Sequence, residues 1–185
     1  SCVTGVQTCA LPIFVEPTAE RNYYTLVTSG MGAHRMNVPK ELAEYKLERA
    51  EIVVYLPADW NISDHEEKNY WPLRWLKILA RLPLEEDSWL GWGHSVPNGK
   101  PFAENTQLSS VLLINPENVE EGAAVCQLPN GEEVNFYQMI PLYEEEVNFK
   151  IQNGAETLLG KMGEISAVVD IHRLNVCEGF GRPKE

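Results

Sequence analysis

Residues 70–99, YWPLRWLKILARLPLEEDSWLGWGHSVPNG, hold four of the chain's five tryptophans and constrain its fold more than any other stretch. On a helix of 3.6 residues per turn, Trp71, Trp75, Ile78, Leu79 and Leu82 fall on one face, which Leu73, Leu76 and Ala80 widen. Only a narrow polar stripe of Arg74, Lys77 and Arg81 remains. Pro72 suits a first turn and Pro83 stops the helix, while the capping-box shape of Ser63-Asp64-His65-Glu66 allows it to start a turn or more earlier. A helix wrapped in core on most sides needs a sheet to bury it. Residues 89–96, with Gly91 and Gly93 between aromatics, read as a bulged or closely approached strand beyond it.

The flanking segments supply that sheet. Residues 23–29 (YYTLVTS) and 50–56 (AEIVVYL) read as strands, the second apolar throughout and central. Residues 108–114 (LSSVLLI) are a third, and residues 124–128 and 133–142 form a hairpin about Asn130-Gly131. Residues 143–162 read as a helix interrupted near Asn153-Gly154, and residues 168–172 as a last short strand. Six or so strands without regular alternation with helices predict an α+β fold, a mixed, mostly antiparallel sheet packed by two or three helices.

The first thirteen residues, SCVTGVQTCALPI, are uncharged and unlike the rest, and residues 3–13 resemble a translated sequencing adapter. The expected organisation is therefore a non-native segment at 1–13, one domain at 14–178 and a tail at 179–185. Without Cys2 and Cys9 only Cys126 and Cys177 remain, too few for a disulfide scaffold or a four-cysteine zinc site.

With 15 basic and 27 acidic residues the net charge is −12, which disfavours nucleic acid and anionic membrane and favours a basic protein partner. No apolar run approaches the roughly 20 residues of a membrane span, and the expected location is cytoplasmic. The four histidines show no metal-ligand spacing, so neither a metal nor a cofactor is expected. Gly30-Met31-Gly32 reads as a turn instead of a phosphate loop, and Asp170 with His172 as a solvent-facing pair. Gly93-His94-Ser95 lacks the second glycine of a nucleophile elbow, leaving a hydrolase centred on His94 as a minor alternative.

Several longer motifs carry a resemblance. Thr28-Ser29-Gly30-Met31-Gly32, Tyr70-Trp71-Pro72-Leu73-Arg74-Trp75-Leu76-Lys77, Trp89-Leu90-Gly91-Trp92-Gly93-His94, Ile114-Asn115-Pro116 and Phe136-Tyr137-Gln138-Met139-Ile140-Pro141-Leu142-Tyr143-Glu144-Glu145-Glu146 are similar, in order, to the suppressor-of-fused domain family. The resemblance implies a non-enzymatic α+β protein-binding domain. Animal members sequester transcription factors by gripping an extended peptide with help from a second domain. Bacterial members look like stand-alone domains, and for many of them the resemblance implies an immunity role against secreted toxins. The expectation is an immunity-type protein that binds and neutralises a basic toxin, with a regulatory adaptor sequestering a peptide as the alternative. Trp89, Trp92 and His94, preceded by Glu85, Glu86 and Asp87 to steer a cationic partner, are the candidate partner-binding residues.

Overall fold

The computed structural model describes residues 12–163 and 167–181. Among the described residues seven strands form one sheet: β1 (Ile13–Val15), β2 (Tyr23–Val27), β3 (Ala50–Pro57), β4 (Ser95–Pro97), β5 (Ser110–Ile114), β6 (Val125–Gln127) and β7 (Glu133–Leu142). Their order is β1-β2-β3-β7-β5-β4, with β6 also on β7. Every pairing is antiparallel except β3 with β7. The mixed, mostly antiparallel sheet is thus as the sequence predicts. Residues 1–11 lie outside the described residues, but Ile13, assigned to the non-native segment, pairs with Val27 in β1.

Helix α1 (Glu67–Glu85) lies on one face of the sheet, α2 (Glu144–Asn153) and α3 (Ala155–Met162) on the other. Side chains alternate along a strand, and β5 shows both faces in use: Val111 and Leu113 join the core under α1, whereas Leu112 and Ile114 join the core under α2 and α3. That is why this strand reads as an unbroken apolar run. Trp71, Trp75, Leu76 and Leu79 are buried on α1, and Trp71 stacks on Phe102 with ring centres 4.6 Å apart. The cationic stripe stays at the surface, where Arg74 pairs with Glu67 at 2.7 Å.

Both prolines lie inside α1, so Pro72 is not in the first turn and Pro83 does not end the helix. A proline near a helix end removes one hydrogen bond, which buried neighbours offset, and the chain continues to Glu85. The end is set by Asp87, whose φ of 47° is left-handed. At the start Asp64, not Ser63, supplies the anchoring oxygens, accepting from the Glu66 N–H at 2.9 Å and Asn69 Nδ2 at 2.7 Å. These bonds hold its carboxyl below the usual carboxylate range.

The expected turn at Gly30-Met31-Gly32 is present, held by Glu51, whose side chain accepts from Thr28 Oγ1 and from the N–H groups of Gly30 and Gly32 at 3.0 and 2.9 Å. Glycine is required at 32 because a Cβ there would stand 2.9 Å from Val134 Cγ1. The predicted final strand is not formed: residue 168 makes a single bridge to Tyr55, and Asp170 folds back to accept the His172 N–H at 2.9 Å. β3 and β7 part company after Val53 and Gln138, and residues 167–169 fill the fork. Gln138, wholly buried, donates to the Ala167 carbonyl and accepts from the Glu117 N–H, each at 2.9 Å. Pro141 is tolerated in β7 because it lies beyond the reach of β3, where no ladder bond is due.

Candidate partner-binding surface

Two regions bear on partner binding: one holds the candidate residues, the other the two most exposed large hydrophobic side chains among the described residues. The first is the connection from α1 to β4. The continuous strand expected over residues 89–96 is confined to Ser95–Pro97. Gly93, at φ 79°, turns the chain so closely over α3 that its Cβ would lie 3.4 Å from that of Ala155. Hydrogen bonds from the Gly93 N–H to the Leu113 carbonyl (2.7 Å) and from the Leu113 N–H to the His94 carbonyl (2.9 Å) still run this segment along β5. The glycines are closely approached, as one of the two readings expects, but the chain turns at Gly93 and the strand is shorter than expected.

The candidate residues split. Glu85 ends α1, Glu86 and Asp87 form the following turn, and all three are exposed. Trp92 projects at 39% exposure, whereas Trp89 packs against the main core and meets the His94 ring edge-on at 4.3 Å. Gly91 permits that arrangement, since a Cβ there would lie 2.6 Å from Trp89 Cζ3. Burial pushes the His94 imidazole pKa below its usual value, the Lys150 charge adds to this, and a hydrogen bond to the Trp89 backbone opposes both. Ser95 accepts from Lys150 Nζ at 3.1 Å, so the serine beside His94 is engaged by a lysine. Burial also lowers the Lys150 pKa.

The second region was missed from sequence. A groove of about 810 Å³ runs between β4 with the turn after it, the start of α2, and residues 173–178. Its far wall is fixed by Glu146, which is fully buried and accepts from Arg173 Nη1 at 2.6 Å, Arg173 Nη2 at 2.5 Å, and the N–H groups of Tyr143 and Val176 at 3.0 and 3.1 Å. Arg173 also donates to the Pro141 carbonyl at 2.8 Å, and Tyr143 Oη donates to the Arg173 carbonyl at 2.5 Å. Ile151 and Leu174 line the groove at 71% and 86% exposure. The Glu144-Glu145-Glu146 run was legible as a charge cluster. Its division into one buried anchor and two groove-lining acids was not, because the partner of Glu146 lies 27 residues away.

The acidic groups differ in availability. Glu132 is paired with Arg35 and Arg49, and Glu133 with Lys46. Glu85, Glu86, Asp87, Glu120, Glu121 and Glu144 are exposed. Among the described residues no group of three His, Cys, Asp or Glu side chains is placed to hold a metal ion, and no helix is long and apolar enough to cross a membrane.

The family model described as Suppressor of fused protein (SUFU) matches residues 7–174. The chain belongs to the suppressor-of-fused family. The match begins within the segment that resembles adapter sequence. An uncharacterised protein of Ureaplasma parvum is 28% identical over 155 residues, 83% of this chain and 74% of that protein. A suppressor-of-fused homologue of Neisseria gonorrhoeae superposes with a TM-score of 0.63 at 20% identity, over 89% of this chain and 76% of its own. The Sufu–Fu complex gives 0.62 at 14% identity, again over 89% of this chain and 75% of the matched one. Drosophila Suppressor of Fused gives 0.62 at 15% identity, and there this chain spans 42% of the larger protein. At these identities the likeness to the solved relatives shows a shared fold.

Proposed function

We propose that this suppressor-of-fused domain works by binding a basic protein and blocking it, with a toxin as the partner and no chemistry of its own. The observation that carries the reading is the exposed Trp92, presented on the turn at Gly93 and following the exposed acids Glu85, Glu86 and Asp87 along the chain. Tryptophan is enriched at interface hot spots, and a rim of acids accelerates encounter with a cationic surface. The net charge of −12 and the similarity to a protein solved as a Sufu–Fu complex support a protein partner. A regulatory adaptor holding a peptide segment is the second reading, favoured by the groove beside β4.

The test is co-purification with the tagged product of the adjacent gene, using wild type, Trp92→Ala, and a triple change of Glu85, Glu86 and Asp87 to Gln, Gln and Asn. Weakened capture by both variants, and capture by wild type that declines as salt rises, are expected. If the partner is toxic, co-expression should restore growth with wild type and less so with Trp92→Ala. Capture that neither variant nor salt diminishes would refute this surface, and growth unaffected by the domain would refute the blocking role.

A further inference from the structure

We infer that the turn from Trp89 to His94 is a pH-sensitive device: with His94 neutral the turn stays closed and holds Trp92 out for the partner, and one proton taken up at His94 opens it and releases the partner. The inference rests on the reading of Trp92 as a contact residue and adds its regulation. Trp92 lies between two residues that close on each other, for the Trp89 and His94 rings meet edge-on with centres 4.3 Å apart and the imidazole hydrogen-bonds the Trp89 backbone. The His94 N–H donates to the Gly91 carbonyl at 3.2 Å, which completes the closure.

The surroundings of His94 set the sign. The ring is half-buried, so water solvates a charge on it poorly. The charged group that acts on it is Lys150 of α2, whose Nζ donates to Ser95 Oγ, one residue further along, at 3.1 Å. From the other packed elements, α3 offers Gly93 the methyl of Ala155 and β5 offers the backbone of Leu113, and neither contact brings a carboxylate. A proton on His94 therefore adds a second cation near Lys150 in a partly dry site.

The backbone decides what gives way. Leu90 is buried and its N–H rests on Met36 Sδ at 3.4 Å, and Ser95 begins β4. Between these anchors the chain bends at Gly93, with φ 79°, and two of its four residues are glycines with no side chain to hold them. The contact of His94 with Trp89 is what fixes this stretch. Once the imidazolium turns towards water, residues 91–94 reorient while α1 and the sheet stay in place, and Trp92 loses its fixed direction. Carboxylates ordinarily titrate near pH 4, so the interval between about pH 5 and 7 belongs to histidine.

The turn and the partner are read separately. Nuclear magnetic resonance follows the histidine Cε1–H signals against pH in wild type, Lys150→Gln and His94→Gln, the last identifying the His94 signal. The His94 midpoint should lie below about 6.5 and move to higher pH in Lys150→Gln. The Trp92 indole N–H signal, identified by its absence in Trp92→Phe, should shift with the same midpoint. Capture of wild type by the immobilised product of the adjacent gene should weaken below that midpoint, by at most about tenfold per pH unit, the limit for one proton. Capture of Lys150→Gln should weaken at higher pH, and capture of His94→Gln should hold level relative to its own value at neutral pH. A His94 midpoint at or above about 6.5, a Trp92 signal that ignores it, or capture of His94→Gln that weakens as wild type does would each overturn the inference. Capture undiminished by Trp92→Ala would refute the Trp92 surface and the inference with it, whereas pH-independent capture that Trp92→Ala does diminish would refute the inference alone.

Discussion

Arg173→Leu should be among the most damaging single changes outside the tryptophan core. Glu146 is wholly inaccessible and receives four hydrogen bonds, two of them from this guanidinium at 2.5 and 2.6 Å. Leucine would leave the carboxylate with only the N–H groups of Tyr143 and Val176 and would release the Pro141 and Leu174 carbonyls. Breaking a buried pair by removing one partner costs about 3–5 kcal/mol, because the remaining charge stays desolvated. Against a typical stability of roughly 5–15 kcal/mol that is a large fraction. At about 2–4 °C per kcal/mol for a chain of this size, the melting temperature should fall by about 10 °C. Adding Glu146→Gln to Arg173→Leu should recover part of the loss, giving a coupling energy of more than about 1 kcal/mol in a double-mutant cycle. Urea and thermal melts by circular dichroism measure both quantities. Cys177, buried and with its thiol pKa raised by burial, reports the same event. In a background with Cys2, Cys9 and Cys126 changed to serine, it should become reactive to a thiol reagent when residues 173–177 detach. A fall of less than about 2 °C with Cys177 still protected would show that the pair is not a structural clasp.

Trp75→Ala should cost about 3–5 kcal/mol, while Arg81→Ala, exposed and 4.0 Å from Glu85, should cost less than about 1 kcal/mol, both read from urea melts. Gly91→Ala should destabilise by about 1–3 kcal/mol and alter tryptophan fluorescence, because the new methyl occupies space held by the Trp89 ring. His94 has a folded pKa below its unfolded value near 6.5, so the unfolded chain binds more protons in the window just below that value. Its contribution should be complete above about pH 6.5 and lost as pH falls towards the lowered folded value, and His94→Gln should flatten that part of the stability curve.

The positions that reasoning from sequence placed well are those where a local signal and the global fold agree. The Asn130-Gly131 hairpin, the break at Asn153-Gly154 between α2 and α3, and the buried face of α1 each follow from turn chemistry or periodicity within about twenty residues. Pro83 was misread because its local preference to end a helix was overridden by burial against the core. Residues 89–94 were misread because two glycines permit a turn as readily as a bulge, and the packing of Gly93 on Ala155 decides between them. Of the six candidate side chains, Trp92 and the three acids are exposed, whereas Trp89 and His94 pack against each other.

By itself the sequence determined the α+β class, the central β3, the apolar side of α1 and the acidic surface, because each depends on residue type and spacing along one segment. Tertiary structure alone decided the parallel pairing of β3 with β7, the filling of their fork by residues 167–169, and the burial of Glu146 against Arg173. These join segments 27 to more than 100 residues apart, and register between distant strands leaves no mark in local periodicity. The groove exists for the same reason: its walls come from three separate parts of the chain, each ordinary in sequence until the fold sets Ile151 and Leu174 around one concavity.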